Sequence, residues 1–309
     1  MMEQFYFVLT ERCNLACSHC IRDSSPYRDE TAEKAMILDT LSQIRQDHAH
    51  SLVLLTGGEP TLHRHFDSIL RHSLALGLQT KINSNGVTSF YKQNILEQWA
   101  GQPSLSVQIS LDGTEAEHDL VRGAGTYRRA LRTLARLRAQ GISCSVSATV
   151  IDLDFFARIE QFIQPLDDLE LTHIAIKRAT YAGRASSGME VCSQAWNQHV
   201  YALRKQPYKT RILAFPMYDF SRLQALGDDD IAELGRTITT KKLRCCDGEG
   251  LYLPQWRRVL LHLLQGPPHG QPVPTTAIGH SCPATADQGG ASHLSGLPLL
   301  CRMQRWLPG

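Results

Sequence analysis

Ser51-Leu52-Val53-Leu54-Leu55-Thr56-Gly57-Gly58-Glu59-Pro60 is a short apolar run that ends in two glycines, an acid and a proline. A run of this length, bounded by glycine, reads as a buried strand, and the proline stiffens the turn behind it. The pattern recurs along the 309-residue chain. Residues 5–10, 78–83, 104–111, 142–151 and 171–176 read as strands too, which makes six. Several end in polar or turn residues, such as Ser84-Asn85-Gly86 and Asp112-Gly113. Helical spacing falls between them. Residues 31–46 place Ala35, Leu38, Leu41 and Ile44 three apart. Residues 126–140 place Ala130, Leu131, Leu134 and Leu137 on one side, closed by Gly141. Residues 88–100 and 154–164 read as further helices. Strand alternating with helix predicts parallel βαβ units of an α/β fold, with right-handed connections. Ligands in such folds sit at the C-terminal ends of the strands, where the polar and glycine motifs lie.

The first strand runs into Cys13-Asn14-Leu15-Ala16-Cys17-Ser18-His19-Cys20, three thiols spaced C-x3-C-x2-C. Three adjacent thiolates can hold one iron–sulfur cluster; a cubane has four irons, so one iron stays open. A zinc or redox site is the alternative. Zinc sites favour two Cys-x2-Cys pairs or Cys/His pairs, and no second pair stands nearby. The cysteine loop, with Gly57-Gly58-Glu59-Pro60 following the next strand, resembles the signature of the radical SAM superfamily. That resemblance implies a partial (β/α)6 barrel of TIM type with a short C-terminal extension. It implies a 4Fe–4S cluster on Cys13, Cys17 and Cys20, and S-adenosylmethionine (SAM) bound at the open iron. Gly57, Gly58, Glu59 and Pro60 match the element that contacts the amino group of SAM. Asn85, in its Asn-Gly turn, matches an element that approaches SAM. Ser110 and Asp112 match groups for the SAM ribose and carboxylate, and Arg122 an arginine paired with that carboxylate. A plain turn at Asn85 and a surface charge at Arg122 are the bland alternatives.

Cys245-Cys246-Asp247-Gly248-Glu249-Gly250-Leu251-Tyr252-Leu253 resembles the opening of the SPASM or twitch region of radical SAM peptide maturases, which implies an auxiliary iron–sulfur cluster. The pattern departs at Pro254. Residues 254–309 are rich in proline and glycine and poor in acids, a composition that does not build a packed core. They read as a natural tail or, preferred, as translation out of frame after a normal start. The expected organisation is a barrel over 1–218, the start of an auxiliary region over 219–253, and a low-order tail over 254–309. Gly183-Arg184-Ala185 resembles an element of peptide-modifying members.

The activity implied is reductive SAM cleavage to a 5′-deoxyadenosyl radical that takes hydrogen from a peptide or protein side chain. A small-molecule cofactor precursor is the alternative substrate. A non-catalytic iron–sulfur electron carrier is a third reading, and Gly57-Gly58-Glu59-Pro60 and Arg122 argue against it. A flavodoxin or ferredoxin is the expected electron donor. A formal charge of +2 gives no broad basic field for nucleic acid. No apolar stretch approaches the ~20 residues that span a bilayer. The N-terminus lacks a charged region and cleavage site, and clustered thiols suit a reducing cytoplasm. Cys144 and Cys192 read as buried apolar fillers.

Overall fold

A computed structural model describes residues 3–180, 182–185, 189 and 191–217. The expected segments at 219–253 and 254–309 lie outside the described residues, as do Cys245 and Cys246. The described residues divide into two compact units. One holds residues 3–191 and 203–214, and the other residues 192–202 and 215–217. The second contains most of a helix over Ser193–Leu203, in which Trp196 Nε1 donates to the carbonyl of Phe215 at 2.8 Å. Cys192 is disulfide-bonded, which corrects its expectation as an apolar filler.

The first unit is a parallel sheet of seven strands: β1 (Gln4–Val8), β2 (Leu52–Thr56), β3 (Gln79–Ser84), β4 (Leu105–Ser110), β5 (Ser143–Val150), β6 (Ile174–Arg178) and β7 (Ile212–Ala214). All six expected strands form, and a seventh is added. At three residues, β7 is too short to leave a periodic signal. The strands lie side by side in chain order, β1 to β7. Right-handed connections then put every crossover on the same side of the sheet, the arrangement of a partial barrel rather than of a doubly wound sheet.

The crossovers carry α1 (Lys34–Asp47), α2 (Phe66–Ala75), α3 (Gln93–Leu96), α4 (Glu115–Arg122), α5 (Thr126–Ala139), α6 (Asp154–Ala157) and α7 (Ile159–Ile163). In α1 the buried stripe is Ile37, Leu41 and Ile44, while Ala35 is exposed, so the core face is rotated from the expected one. The expected helix over 88–100 forms only short pieces, because the backbone turns extended at Lys92. Packing overrides weak propensity there: Phe90 meets Phe66 edge-on at 4.9 Å, and Tyr91 and Trp99 are buried. Two elements escaped the sequence. α2 buries Phe66, Ile69, Leu70 and Ser73, a spacing that was legible. α4 opens on a capping box between Thr114 and Glu117.

Helices and sheet enclose an apolar layer of Val53, Leu55, Ile82, Ile109, Val146 and Ile176, all at most 1 % exposed. Cys144 belongs to this face and is buried as expected. No helix among the described residues is long and apolar enough to cross a membrane.

Candidate functional site

The loop after β1 is held by the C-terminal ends of four strands. From β2, the chain at Gly57 and Gly58 lies against residues 10–12. Gly58 N donates to Thr10 O at 2.7 Å and Glu59 N to Arg12 O at 2.9 Å. A Cβ on Gly57 would collide with the backbone of Thr10, and one on Gly58 with that of Glu11 and Arg12. Both glycines therefore serve a close approach between two stretches of the protein's own backbone.

Glu59 is fully buried. Its Oε1 accepts from Thr61 N (3.3 Å), Thr61 Oγ1 (2.6 Å) and Ser84 Oγ (2.8 Å), and its Oε2 from Asn85 N (2.8 Å). Burial raises the pKa of this carboxyl, and those four bonds oppose the rise. Pro60 begins a single 3-10 turn behind it, whose backbone Glu59 caps. The acid thus ties the β2 end to the β3 end. Asn85, positioned by that tie, turns its Nδ2 to Asn14 Oδ1 (2.9 Å) and to Cys13 Sγ (3.7 Å).

From β4 comes Asp112, also buried. Its Oδ2 takes Arg122 Nε at 2.6 Å and His19 Nε2 at 2.8 Å, and its Oδ1 takes Thr149 N at 2.8 Å. Burial alone would raise the Asp112 pKa. The Arg122 charge and the bonds from His19 and Arg122 outweigh it and hold the carboxyl well below the usual range. Burial opposes the Arg122 charge, and Asp112 more than restores it. Arg122 ends α4 and sends Nη1 to Cys17 Sγ at 3.8 Å. Behind Asp112, its N–H donates to Nδ1 of buried His118 at 3.1 Å. Ser110 shares the face of Asp112 and is half-exposed, with no side-chain hydrogen bond among the described residues.

The fourth brace follows β6. Arg184 N donates to Cys20 O (2.9 Å), its Nε to Cys17 O (2.9 Å), its Nη2 to Ser24 O (2.6 Å) and its Nη1 to Asp23 Oδ1 (2.7 Å). A side chain on Gly183 would run into the backbone of Cys20 and Ile21. Gly183-Arg184-Ala185 carried only supporting weight in the sequence, yet Arg184 clamps two loop carbonyls directly.

Cys13, Cys17 and Cys20 are free thiols. Cys13 and Cys17 are buried with Leu15, and Cys20 and Val87 pack against them. Burial pushes the Cys13 thiol up to about 12 and raises that of Cys17, which Arg122 partly offsets. The surroundings fit an iron–thiolate centre. Leu15 N (3.4 Å) and Asn85 Nδ2 point at Cys13 Sγ, Arg122 Nη1 points at Cys17 Sγ, and buried His19 Nδ1 has no partner. Donors to sulfur and an apolar shell are what tune such a centre. Among the described residues, no three Cys, His, Asp or Glu side chains converge as a single ion requires. A polynuclear cluster takes each thiolate at a different iron, so its ligands stand apart; a lone zinc ion would need them together.

A model of the Radical SAM superfamily matches residues 7–165, more than half of the chain, and the chain belongs to that superfamily. Mycofactocin maturase MftC of Mycobacterium ulcerans is 31% identical over 186 residues, covering 59% of this chain and 48% of that protein. AdoMet-dependent heme synthase of Oleidesulfovibrio alaskensis is 29% identical over 166 residues, covering 51% of this chain and 41% of that one. Among solved structures, Streptococcus suis SuiB bound to S-adenosylmethionine superposes with a TM-score of 0.60 at 14% identity. It covers 75% of this chain and 55% of SuiB, a likeness that shows the fold. SuiB has also been solved bound to its precursor peptide SuiA. The chain spans about half the length, or less, of the curated relatives it matches.

Proposed function

We propose that this chain holds a 4Fe–4S cluster on Cys13, Cys17 and Cys20 and is a radical SAM enzyme acting on a peptide. The convergence of Asn85 on Cys13 and of Arg122 on Cys17 carries this reading, since two separate strand ends aim donors at two loop sulfurs. When bound, cluster and SAM supply one-electron chemistry that yields a 5′-deoxyadenosyl radical for hydrogen abstraction.

The chain's own part is to bind, orient and exclude water. The thiols must lose their protons to ligate iron, and their burial makes that ionisation costly without metal. Arg122 provides positive charge beside Cys17, and Asp112 and His19 fix its guanidinium in place. Its Nη2 has no partner among the described residues and is the group offered to the SAM carboxylate. Gly57, Gly58, Glu59 and Pro60 place the β2 end beside the loop, where the SAM ammonium would sit, and Ser110 faces the same side as Asp112 for the ribose. A flavodoxin or ferredoxin in the cytoplasm is the proposed reductant.

Peptide chemistry is favoured by the maturase relative MftC and by the SuiB fold. The likeness to AdoMet-dependent heme synthase supports a second reading, a small-molecule substrate. A precursor-peptide gene beside this one would select the first. The test is anaerobic reconstitution of the full chain. About four irons per chain and 5′-deoxyadenosine formation are expected, and both should vanish when the three cysteines become alanine. Cleavage that survives in the triple variant refutes the assignment. An auxiliary cluster on the segment that opens at Cys245 and Cys246 would instead bring the count to about eight.

A further inference from the structure

The cysteine loop receives hydrogen bonds from two guanidinium groups, and each of them carries its own carboxylate. Arg122 sends Nη1 to Cys17 Sγ at 3.8 Å, while its Nε is held by Asp112 Oδ2 at 2.6 Å. Arg184 bonds the carbonyls of Cys17 and Ser24, while its Nη1 meets Asp23 Oδ1 at 2.7 Å. The donors at Cys13 Sγ, Leu15 N and Asn85 Nδ2, are neutral amides. Directed hydrogens thus reach two sulfurs of the loop, and no group that supplies them brings an unbalanced positive charge.

The pair at Cys17 Sγ is the buried one. The Arg122 and Asp112 side chains are 11 % and 5 % exposed, whereas Asp23 is 54 % exposed, so water screens the second pair far more than the first. Asp112 spends both oxygens inside the protein, Oδ2 on Arg122 and His19 and Oδ1 on Thr149 N. The cysteine loop, α4 and β5 therefore meet at one carboxylate at the end of β4, which cannot turn away from Arg122. The two charges act on Cys17 in opposite senses: Arg122 favours the thiolate and Asp112 disfavours it. An electron added to a cluster on these thiols is negative charge in the same place, so it meets the same opposed fields. Arg122 alone would stabilise that electron and raise the reduction potential. The pair instead presents Cys17 with an aimed N–H and little net charge.

We infer that Asp112 is a positioning residue that keeps the reduction potential of the cluster low, by fixing Arg122 against Cys17 and cancelling its charge there. The inference rests on the cluster reading above, and it gives Asp112 a task apart from the SAM contact that its place in the sequence implies. The benefit is chemical. An electron that must pass on to a sulfonium has to be held loosely, so a guanidinium beside the ligands needs a counter-charge.

The test is a redox titration of the reconstituted full chain, followed by electron paramagnetic resonance and run without SAM, so that a lost SAM contact cannot shift the midpoint. Asp112→Asn leaves Arg122 unbalanced and should favour reduction about tenfold, which is ~59 mV upward for one electron. Arg122→Gln strands the carboxylate instead and should move the midpoint downward by a similar amount. It carries the test by itself if the Asn variant does not retain iron. The double variant removes both charges and should return close to the wild type. Glu115→Gln is the control: it takes the same charge from the outer side of α4, where Glu115 faces Arg128 in solvent, and should change nothing. A midpoint unmoved by the single variants, or lowered by Asp112→Asn, overturns the inference. Loss of iron from both single variants makes the pair structural only and overturns it too. A wild-type chain with no reducible cluster sinks the cluster reading and this inference with it, whereas a reducible cluster indifferent to both residues sinks this inference alone.

Discussion

Replacing Glu59 tests whether this acid is the internal tie between β2 and β3. In Glu59→Gln the side-chain oxygen can still accept from Thr61 and Ser84. The new amide group then faces Asn85 N, donor against donor, at a place where the wild-type contact is 2.8 Å. One buried donor loses its partner, which costs about 1–3 kcal/mol. Glu59→Ala strips all four donors and leaves a void in a site with no exposure, so it should cost about 4–5 kcal/mol or more. Urea unfolding of the full chain measures both, as a lower midpoint at unchanged slope. Hydrogen exchange over residues 80–90 gives the local answer, because the Asn85 amide should lose protection in either variant. Iron retention should fall with it, since Asn85 reaches Cys13 only while its backbone is held. A Gln variant within ~0.5 kcal/mol of wild type, with Asn85 still protected, would refute the tie. An Ala variant no worse than Gln would do the same.

Two further outcomes follow from the packing. Gly58→Ala forces a Cβ into the backbone of Glu11 and Arg12, so it should destabilise by about 3 kcal/mol or more and cost the chain its iron. The control is Gly77→Ala, at a left-handed position with open space around it, and equal melting temperatures for the two would contradict the close approach. His118 is buried and accepts the Asp112 N–H, and burial brings its pKa down to about 4. The unfolded chain takes up the proton near 6.5, so folded stability is complete above that value and declines as pH falls toward 4. The full loss is roughly 3 kcal/mol at 1.36 kcal/mol per pH unit. Denaturant midpoints across this range should show that slope and lose it in His118→Gln. A profile identical for wild type and variant would remove His118 as the cause.

The sequence by itself determined the alternation of strands and helices, the cysteine loop and the family. These are local signals. A buried strand must be apolar in a short run, a turn needs glycine, and three thiols in eight residues have few uses. Local pattern also had room to mislead. α1 shows two apolar stripes, and only contact with the sheet decides that Ile37 rather than Ala35 faces inward. The segment 88–100 has helical spacing, but burying Tyr91 and Trp99, with Phe90 edge-on to Phe66 and Trp99 beneath Arg71 of α2, breaks it.

Partnership across long separations was decided only by the tertiary structure. Glu59 reads as an acid free for a ligand until Ser84 and Asn85 close around it. Gly183-Arg184-Ala185 resembles a family element in sequence, but only the fold brings Arg184 onto the carbonyls of Cys17, Cys20 and Ser24. Hydrogen bonds and desolvation depend on which groups meet in space, and a one-dimensional pattern records only which groups are near in sequence.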